Sequence, residues 1–163
     1  MNRMPESGDG PAGLSLPDYL PYRLSVASNH VSALITRAYQ DRFGISIWEW
    51  RVVAVLGGTQ PMTAQALVEA TAMDKVTVSR AVRSLVDKAY VARKRHHSDG
   101  RSAMVRLTEA GRTMYDEIVP SALELEKTLL EGFSVEEIGQ MMSVLQAVEA
   151  KALALTTQRS GDD

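Results

Sequence analysis

The chain has 163 residues, 45% of them hydrophobic and 23% charged, the proportions of a one-domain globular protein. It contains no cysteine, which excludes a disulfide scaffold, thiolate catalysis and a cysteine-ligated zinc or iron–sulfur centre. No apolar run approaches the roughly 18–20 residues of a membrane span. The N-terminus lacks the basic-then-apolar pattern of a secretory signal, so the cytoplasm is the expected compartment. The net charge of −2 hides an asymmetry. Residues 72–112 hold ten basic and four acidic side chains, and the remainder holds eight basic and sixteen acidic ones. A basic segment within an acidic chain points to a polyanion partner held by that segment. The plain alternative is a solvated charged surface.

Residues 1–17, rich in Gly and Pro, read as a mobile arm. A helix is predicted from about Tyr22 to Phe43, with Ala27, Val31, Leu34, Ile35 and Ala38 at helical spacing. Gly44 ends it. Ser46 and Glu49 have the spacing of a capping box and open a second helix, Ile47 to Gly57. Gly57-Gly58 and Pro61 mark a turn. A short helix covers roughly Thr63–Ala70, and after Thr71-Ala72-Met73 another covers Asp74–Lys88.

From Tyr90 to Leu107 the period changes to that of two strands around the turn Ser98-Asp99-Gly100. Thr108 caps a long helix running to about Glu131, which Pro120 is expected to kink or split. Ser134 and Glu137 form a second capping box. The last helix carries Ile138, Met141, Met142, Leu145, Val148 and Ala152 on one face, and residues 156–163 are a polar tail.

Helix, short turn, helix and basic hairpin make a helix-turn-helix with a wing. On the Asp74–Lys88 helix, Val78, Val82, Leu85 and Val86 share one side, and Val76, Thr77, Arg80, Arg83 and Ser84 the other. The second set suits DNA: arginine binds guanine in a bidentate way, hydroxyls meet bases or phosphates, and valine meets a thymine methyl. Asp74 near the N-cap and Lys75 sit at the end of the helix that would approach base edges. The hairpin adds Arg93, Lys94, Arg95, His96, His97 and Arg101. Its tip, Asp99-Gly100-Arg101, would place an arginine in the adjacent minor groove, with the flanking cations on phosphates.

Asp74-Lys75-Val76-Thr77-Val78-Ser79-Arg80, Asp99-Gly100-Arg101 and Val105-Arg106-Leu107-Thr108-Glu109-Ala110-Gly111, with Gly44-Ile45-Ser46-Ile47-Trp48-Glu49-Trp50-Arg51-Val52-Val53 upstream, closely resemble the MarR family of bacterial transcription regulators. The resemblance covers about residues 20–155. It implies a mainly helical winged helix-turn-helix homodimer on a pseudo-palindromic double-stranded DNA operator. The implied division is dimerisation helices in 18–45 and 112–155 and a DNA-binding domain in 46–111. The expected DNA contacts are Asp74, Lys75, Val76, Thr77, Ser79, Arg80, Arg83, Arg95 and Arg101. Two departures stand out. Ala89 replaces the glycine common after the recognition helix, which removes the usual left-handed glycine cap. Ala103 and Met104 stand where family wings often carry more basic residues.

Dimerisation also follows from the reading length, because one helix-turn-helix covers few base pairs and a dimer binds two half-sites about 34–36 Å apart. The resemblance further implies control by a small molecule, often an aromatic acid, held where the dimerisation helices meet the DNA-binding lobe. Candidate contacts are Arg23, His30, Trp48, Arg51 and Tyr115. An arginine would pair with a carboxylate and Trp48 would stack on a ring. Trp48 and Tyr115 also fit core roles, and Arg51 a pairing with Glu49 or another acid. Leu20-Pro21-Tyr22-Arg23-Leu24 resembles members that sense aromatic acids or their coenzyme A thioesters.

No cofactor or metal is expected. His96 and His97 are adjacent and on a strand face opposite ways. Gly57-Gly58 lacks the Lys-Ser/Thr of a phosphate loop, and neither Gly-x-Ser-x-Gly nor His-Glu-x-x-His occurs. The rival readings are a winged-helix module whose hairpin binds an acidic protein, and an enzyme, for which no catalytic arrangement is readable.

Overall fold

The computed structural model of the chain describes residues 13–95 and 103–159. After a single 3-10 turn at Leu16–Asp18, the elements run α1 (Leu20–Phe43), α2 (Ile47–Gly58), β1 (Met62–Thr63), α3 (Ala64–Thr71), α4 (Lys75–Asp87), β2 (Val91–Arg95), β3 (Ala103–Leu107), α5 (Glu109–Leu129) and α6 (Val135–Arg159). They fall into two compact units, one ending at Ile118 and the other beginning at Val119.

Sequence signals account for most of the helix ends. The Ser46 hydroxyl accepts from the Glu49 N–H at 3.2 Å, and the Glu49 carboxylate accepts from the Ser46 N–H at 2.7 Å. Ser134 and Glu137 repeat the pair at the start of α6. These bonds satisfy amides that a helix N-terminus leaves without partners, and those from Ser134 hold the Glu137 carboxyl below its usual range. Thr63 caps α3 and Asp74 caps α4. Gly44 closes α1 in the left-handed conformation, φ 63°.

The first unit is organised around the face that α4 turns inward. Val78, Ala81, Val82 and Leu85 are buried there, against a core that includes Val52, Val53 and Leu56 of α2, Leu67 of α3 and Val105 of β3. Truncating a fully buried leucine such as Leu56 or Leu85 to alanine is a change of about 2–5 kcal/mol in such a core. Val86, expected inside, is 36% exposed. Ala81 holds the inner position instead, because at about 100° per residue it lies nearer the centre of the stripe set by Val78, Val82 and Leu85.

The sheet has three strands in the order β1-β3-β2, all pairings antiparallel. In the wing Val91 pairs with Leu107, Arg93 with Val105 and Arg95 with Ala103. Val105 and Leu107 point into the core and Arg106 to solvent, the alternation expected of β3. The two-residue β1, pairing Met62 with Val105 and Thr63 with Met104, is an addition to the predicted hairpin. It is too short to show a period. The Gln60 side chain extends this edge, accepting from the Leu107 N–H at 2.7 Å.

Pro120 neither splits nor ends α5, which runs unbroken through it. Its ring holds φ near the helical value, so the cost is one lost hydrogen bond and a local clash, and the helix formers Ala122, Leu123 and Glu124 follow it. The structure also revises the expectation for Ala89. The left-handed terminus survives without glycine: Ala89 itself takes φ 61°, and its N–H bonds to the Val86 carbonyl at 2.9 Å. Ala72, in the turn before α4, has φ 52°. A β-carbon costs roughly 1–2 kcal/mol in this conformation. Ala89→Gly is therefore expected to stabilise the fold by about 0.5–1 kcal/mol after the entropy of glycine in the unfolded chain is deducted, read as a higher urea midpoint.

The second unit contrasts with the first. α6 buries none of its residues, and Met142, Val144, Leu145 and Leu153 are among its exposed apolar side chains. An open hollow of about 650 Å³ lies between the end of α5 and the start of α6, bordered by Leu123, Leu130, Phe133 and Ile138. In the first unit α1 has a similarly unsatisfied face: Tyr39 alone is buried, and Leu34 is 43% exposed.

Candidate nucleic-acid interface

α3 and α4 are joined by Ala72, Met73 and Asp74, a three-residue turn anchored by buried Met73. The Asp74 carboxylate caps α4, accepting from the Thr77 N–H at 2.9 Å and from the Thr77 hydroxyl. Those bonds, the hydroxyl's first and the amide's second, hold its carboxyl below the usual range. Asp74 is thus committed to ordering the first turn of the helix, and Thr77 is fixed beside it.

With its inner face in the core, α4 presents Lys75, Val76, Ser79, Arg80 and Arg83 exposed, Val76 at 58%. Among the described residues, Arg80 and Arg83 make no ion pair or hydrogen bond, so both guanidinium groups face solvent with all their donors available. Two clefts flank the helix. One, of about 190 Å³, runs between α4, α3 and β2 and is lined by Gln65, Val68, Lys75, Ser79 and Arg93. The other, of about 290 Å³, lies toward α2 and is lined by Ser46, Trp48, Thr77, Arg80 and Ser84. Arg93 and Lys94 are exposed on β2, and with Lys75 they continue the basic surface from helix to wing. Arg95 ends β2, and its side chain lies outside the described residues, as do His96, His97, the turn Ser98-Asp99-Gly100 and Arg101.

Sequence reasoning missed the bonds that hold α4 in place. Glu49 is buried, and besides its capping bond it accepts from Lys88 Nζ at 2.7 Å. The same ammonium donates to the Gly44 carbonyl at 2.7 Å. Burial pushes the Glu49 carboxyl up, but hydrogen bonds from Lys88, Ser46 and Ser84 prevail and hold it below its usual range. A carboxyl depressed by folding contributes stability that is complete above the unfolded-state value and is lost as pH falls through the folded one. Glu49→Gln is accordingly expected to flatten the acid side of the stability–pH profile, measured as urea midpoints between neutral pH and the onset of acid unfolding. The pairing also corrects the expectation for Arg51, whose guanidinium lies 5.3 Å from the Trp48 ring centroid and not on Glu49.

Just beyond this same end of α4, the Thr108 hydroxyl donates to the Ala89 carbonyl at 2.7 Å and accepts from the Gly111 N–H at 3.0 Å. The Thr108 N–H donates to the Tyr90 carbonyl at 3.0 Å. The start of α5 is thereby stitched to the segment joining the recognition helix to the wing. The Arg112 guanidinium donates to the Gly57 carbonyl at 3.0 Å.

The structure brings two of the five candidate effector residues together, Arg51 and Trp48, and Trp48 faces the cleft beside Arg80. Tyr115 belongs to an aromatic stack, 6.2 Å from Trp50, which is 5.0 Å from buried Tyr39. Burial pushes the Tyr39 hydroxyl's pKa up. Arg23 and His30 are exposed on α1. Among the described residues no cluster of three or more His, Asp or Glu side chains could hold a metal ion, and no helix is long and apolar enough to cross a membrane.

A three-residue turn between two helices, an exposed basic face on the second, and a three-stranded antiparallel sheet that follows it in the chain define a winged helix-turn-helix protein. A model of the MarR family matches residues 43–102. An HTH-type transcriptional regulator of Bacillus subtilis (strain 168), YwoH, itself uncharacterized, is 30% identical over 112 residues, 67% of this chain and 81% of that protein. The crystal structure of a MarR/EmrR family transcriptional regulator from Acinetobacter sp. ADP1 superposes with a TM-score of 0.79 at 29% identity, covering 85% of this chain and 98% of that one. BpsR of Bordetella bronchiseptica, a protein whose DNA binding is regulated by 6-hydroxynicotinic acid, shares the fold with a TM-score of 0.77 at 21% identity, covering 85% of this chain and 98% of its own. The chain belongs to the MarR family and is a winged-helix transcriptional regulator.

Proposed function

We propose that the protein is a homodimeric repressor that binds a pseudo-palindromic operator and is released from it by a small aromatic acid or its coenzyme A thioester. The observation that carries the DNA half is the division of α4 into a buried apolar face and an exposed face of Lys75, Val76, Ser79, Arg80 and Arg83. In this reading Arg80 and Arg83 reach base edges, Val76 meets a thymine methyl, and Lys75 and Ser79 meet phosphates or bases. Thr77 borders the same groove and Asp74 acts by fixing its position. Arg95 and Arg101 supply the wing contacts to phosphate and minor groove.

The exposed apolar faces of α1 and α6 support the dimer: side chains such as Leu34, Met142 and Leu145 are covered when a second copy supplies what one protomer lacks. The effector half draws its support from BpsR, which answers to an aromatic acid. Arg51 and Trp48 are the contacts that best suit such a ligand, a cation beside a ring, with Arg23, His30 and Tyr115 as further candidates. An effector releases the operator only if it binds the DNA-incompetent form of the dimer more tightly than the competent one.

The test is fluorescence anisotropy on the promoter DNA beside the protein's own gene, with a panel of aromatic acids and their thioesters added to the preformed complex. Release by one compound at concentrations that leave random-DNA binding unchanged supports effector control. Specific binding that no compound weakens contradicts it and leaves the DNA reading standing.

A further inference from the structure

The bonds around Lys88 assign this residue a role beyond stability. Lys88 is the C-cap residue of α4, where a cation is favoured by the helix dipole. Its ammonium reaches two other elements at once: the carbonyl of Gly44, which closes α1, and the carboxylate of Glu49 in the first turn of α2. Glu49 in turn holds the Ser46 N–H at 2.7 Å and is bonded by Ser84, one turn before Lys88 on α4. Among the described residues no other hydrogen bond or ion pair joins the end of α1 to α4. Lys88, Gly44, Ser46 and Glu49 are not among the residues assigned to DNA; Ser84 lies on the side of α4 that suits DNA and, with Ser46 and Glu49, borders the neighbouring cleft.

We propose that Lys88 is a positioning residue for operator recognition: by tying the C-terminal end of the recognition helix to the junction of α1 and α2, it sets the orientation in which α4 meets the groove. The proposal rests on the DNA-binding reading. The apolar contacts of α4 fix which face is buried, but they resist a rocking of the helix about that face less than a pair of short, directional, charge-assisted bonds does. Lys88 uses one atom for two partners on consecutive helices, so a displacement of the end of α1 is passed to α4 through it. Recognition of base edges depends on such placement, whereas attraction to the phosphate backbone does not.

Three full-length variants separate positioning from stability: Lys88→Met, Glu49→Gln, and the two together. Each is titrated with operator and with random DNA at a temperature where circular dichroism shows it fully folded, and its urea midpoint is measured alongside. Lys88→Met leaves a buried carboxylate unpaired and should lose stability. The double variant removes that charge and should regain much of it. Operator affinity is expected to fall about five- to tenfold in both, with random-DNA affinity and the salt dependence of binding unchanged. Recovery of operator affinity together with stability in the double variant would show a merely structural role and overturn the proposal. So would a salt dependence reduced by about one ion per protomer, about two per dimer, in Lys88→Met, the mark of a phosphate contact. Wild-type protein that does not distinguish operator from random DNA overturns the parent reading with it. Discrimination present in wild type and intact in both Lys88 variants overturns the positioning role alone.

Discussion

Gly111→Ala is expected to cost about 3 kcal/mol of stability or more, and to weaken DNA binding in proportion to the damage at the wing. A β-carbon built on Gly111 falls 1.9 Å from the Tyr90 carbonyl oxygen and 2.9 Å from its carbon. No side chain can move aside there, because the obstacle is backbone. That carbonyl already accepts from the Thr108 N–H, and Gly111 itself donates to the Thr108 hydroxyl. Relief requires the first turn of α5 to lift away from the segment between α4 and β2, breaking bonds on both sides. Overpacking of well-filled sites typically costs about 1–3 kcal/mol, and backbone that cannot relax lies at or beyond the upper end. The check is urea unfolding of Gly111→Ala beside Ala110→Gly. The second variant alters the exposed neighbouring position of the same turn without a clash and should lose only about 1 kcal/mol of helix propensity.

Arg80→Ala should have the larger effect on function and almost none on folding. The side chain is exposed and bonds to nothing among the described residues, so truncation removes no native interaction. Loss of a bidentate contact to a guanine is worth about 1–3 kcal/mol, with relaxed preference at that base. A homodimer loses it twice, once in each half-site. Arg83→Ala, next along the exposed stripe, tests whether the contact extends a further turn. A fall in operator affinity with an unaltered thermal midpoint is the expected pattern. Unchanged affinity in both variants would remove α4 from the groove.

Much of this was legible in the sequence because the signals were local. A capping box needs two residue types three positions apart, and both predicted boxes form. The recognition helix is long enough for its apolar stripe to show, and β3 alternates cleanly between Val105 or Leu107 and Arg106. What escaped the sequence was tertiary or conformational. Lys88 and Glu49 are 39 positions apart, and nothing at either position names the other. Arg51, nearer to Glu49 in sequence, was the more natural partner until the fold placed it on Trp48. The left-handed backbone at Ala72 and Ala89 carries no glycine to announce it. β1 exists only because β3 offers an edge to two residues. Gly111 reads as one element of a family motif in sequence, and only its contact with Tyr90 gives the reason for a glycine.

Whether the exposed face of α4 reads a specific sequence is decided by fluorescence anisotropy of the full-length protein with labelled promoter DNA from beside its own gene, titrated against random duplex at several salt concentrations. Operator binding is expected to be at least about a thousandfold tighter than binding to random DNA at physiological salt, with both affinities falling steeply as salt rises. Equal affinity for promoter and random duplex, at every salt concentration and along the whole promoter, would contradict it.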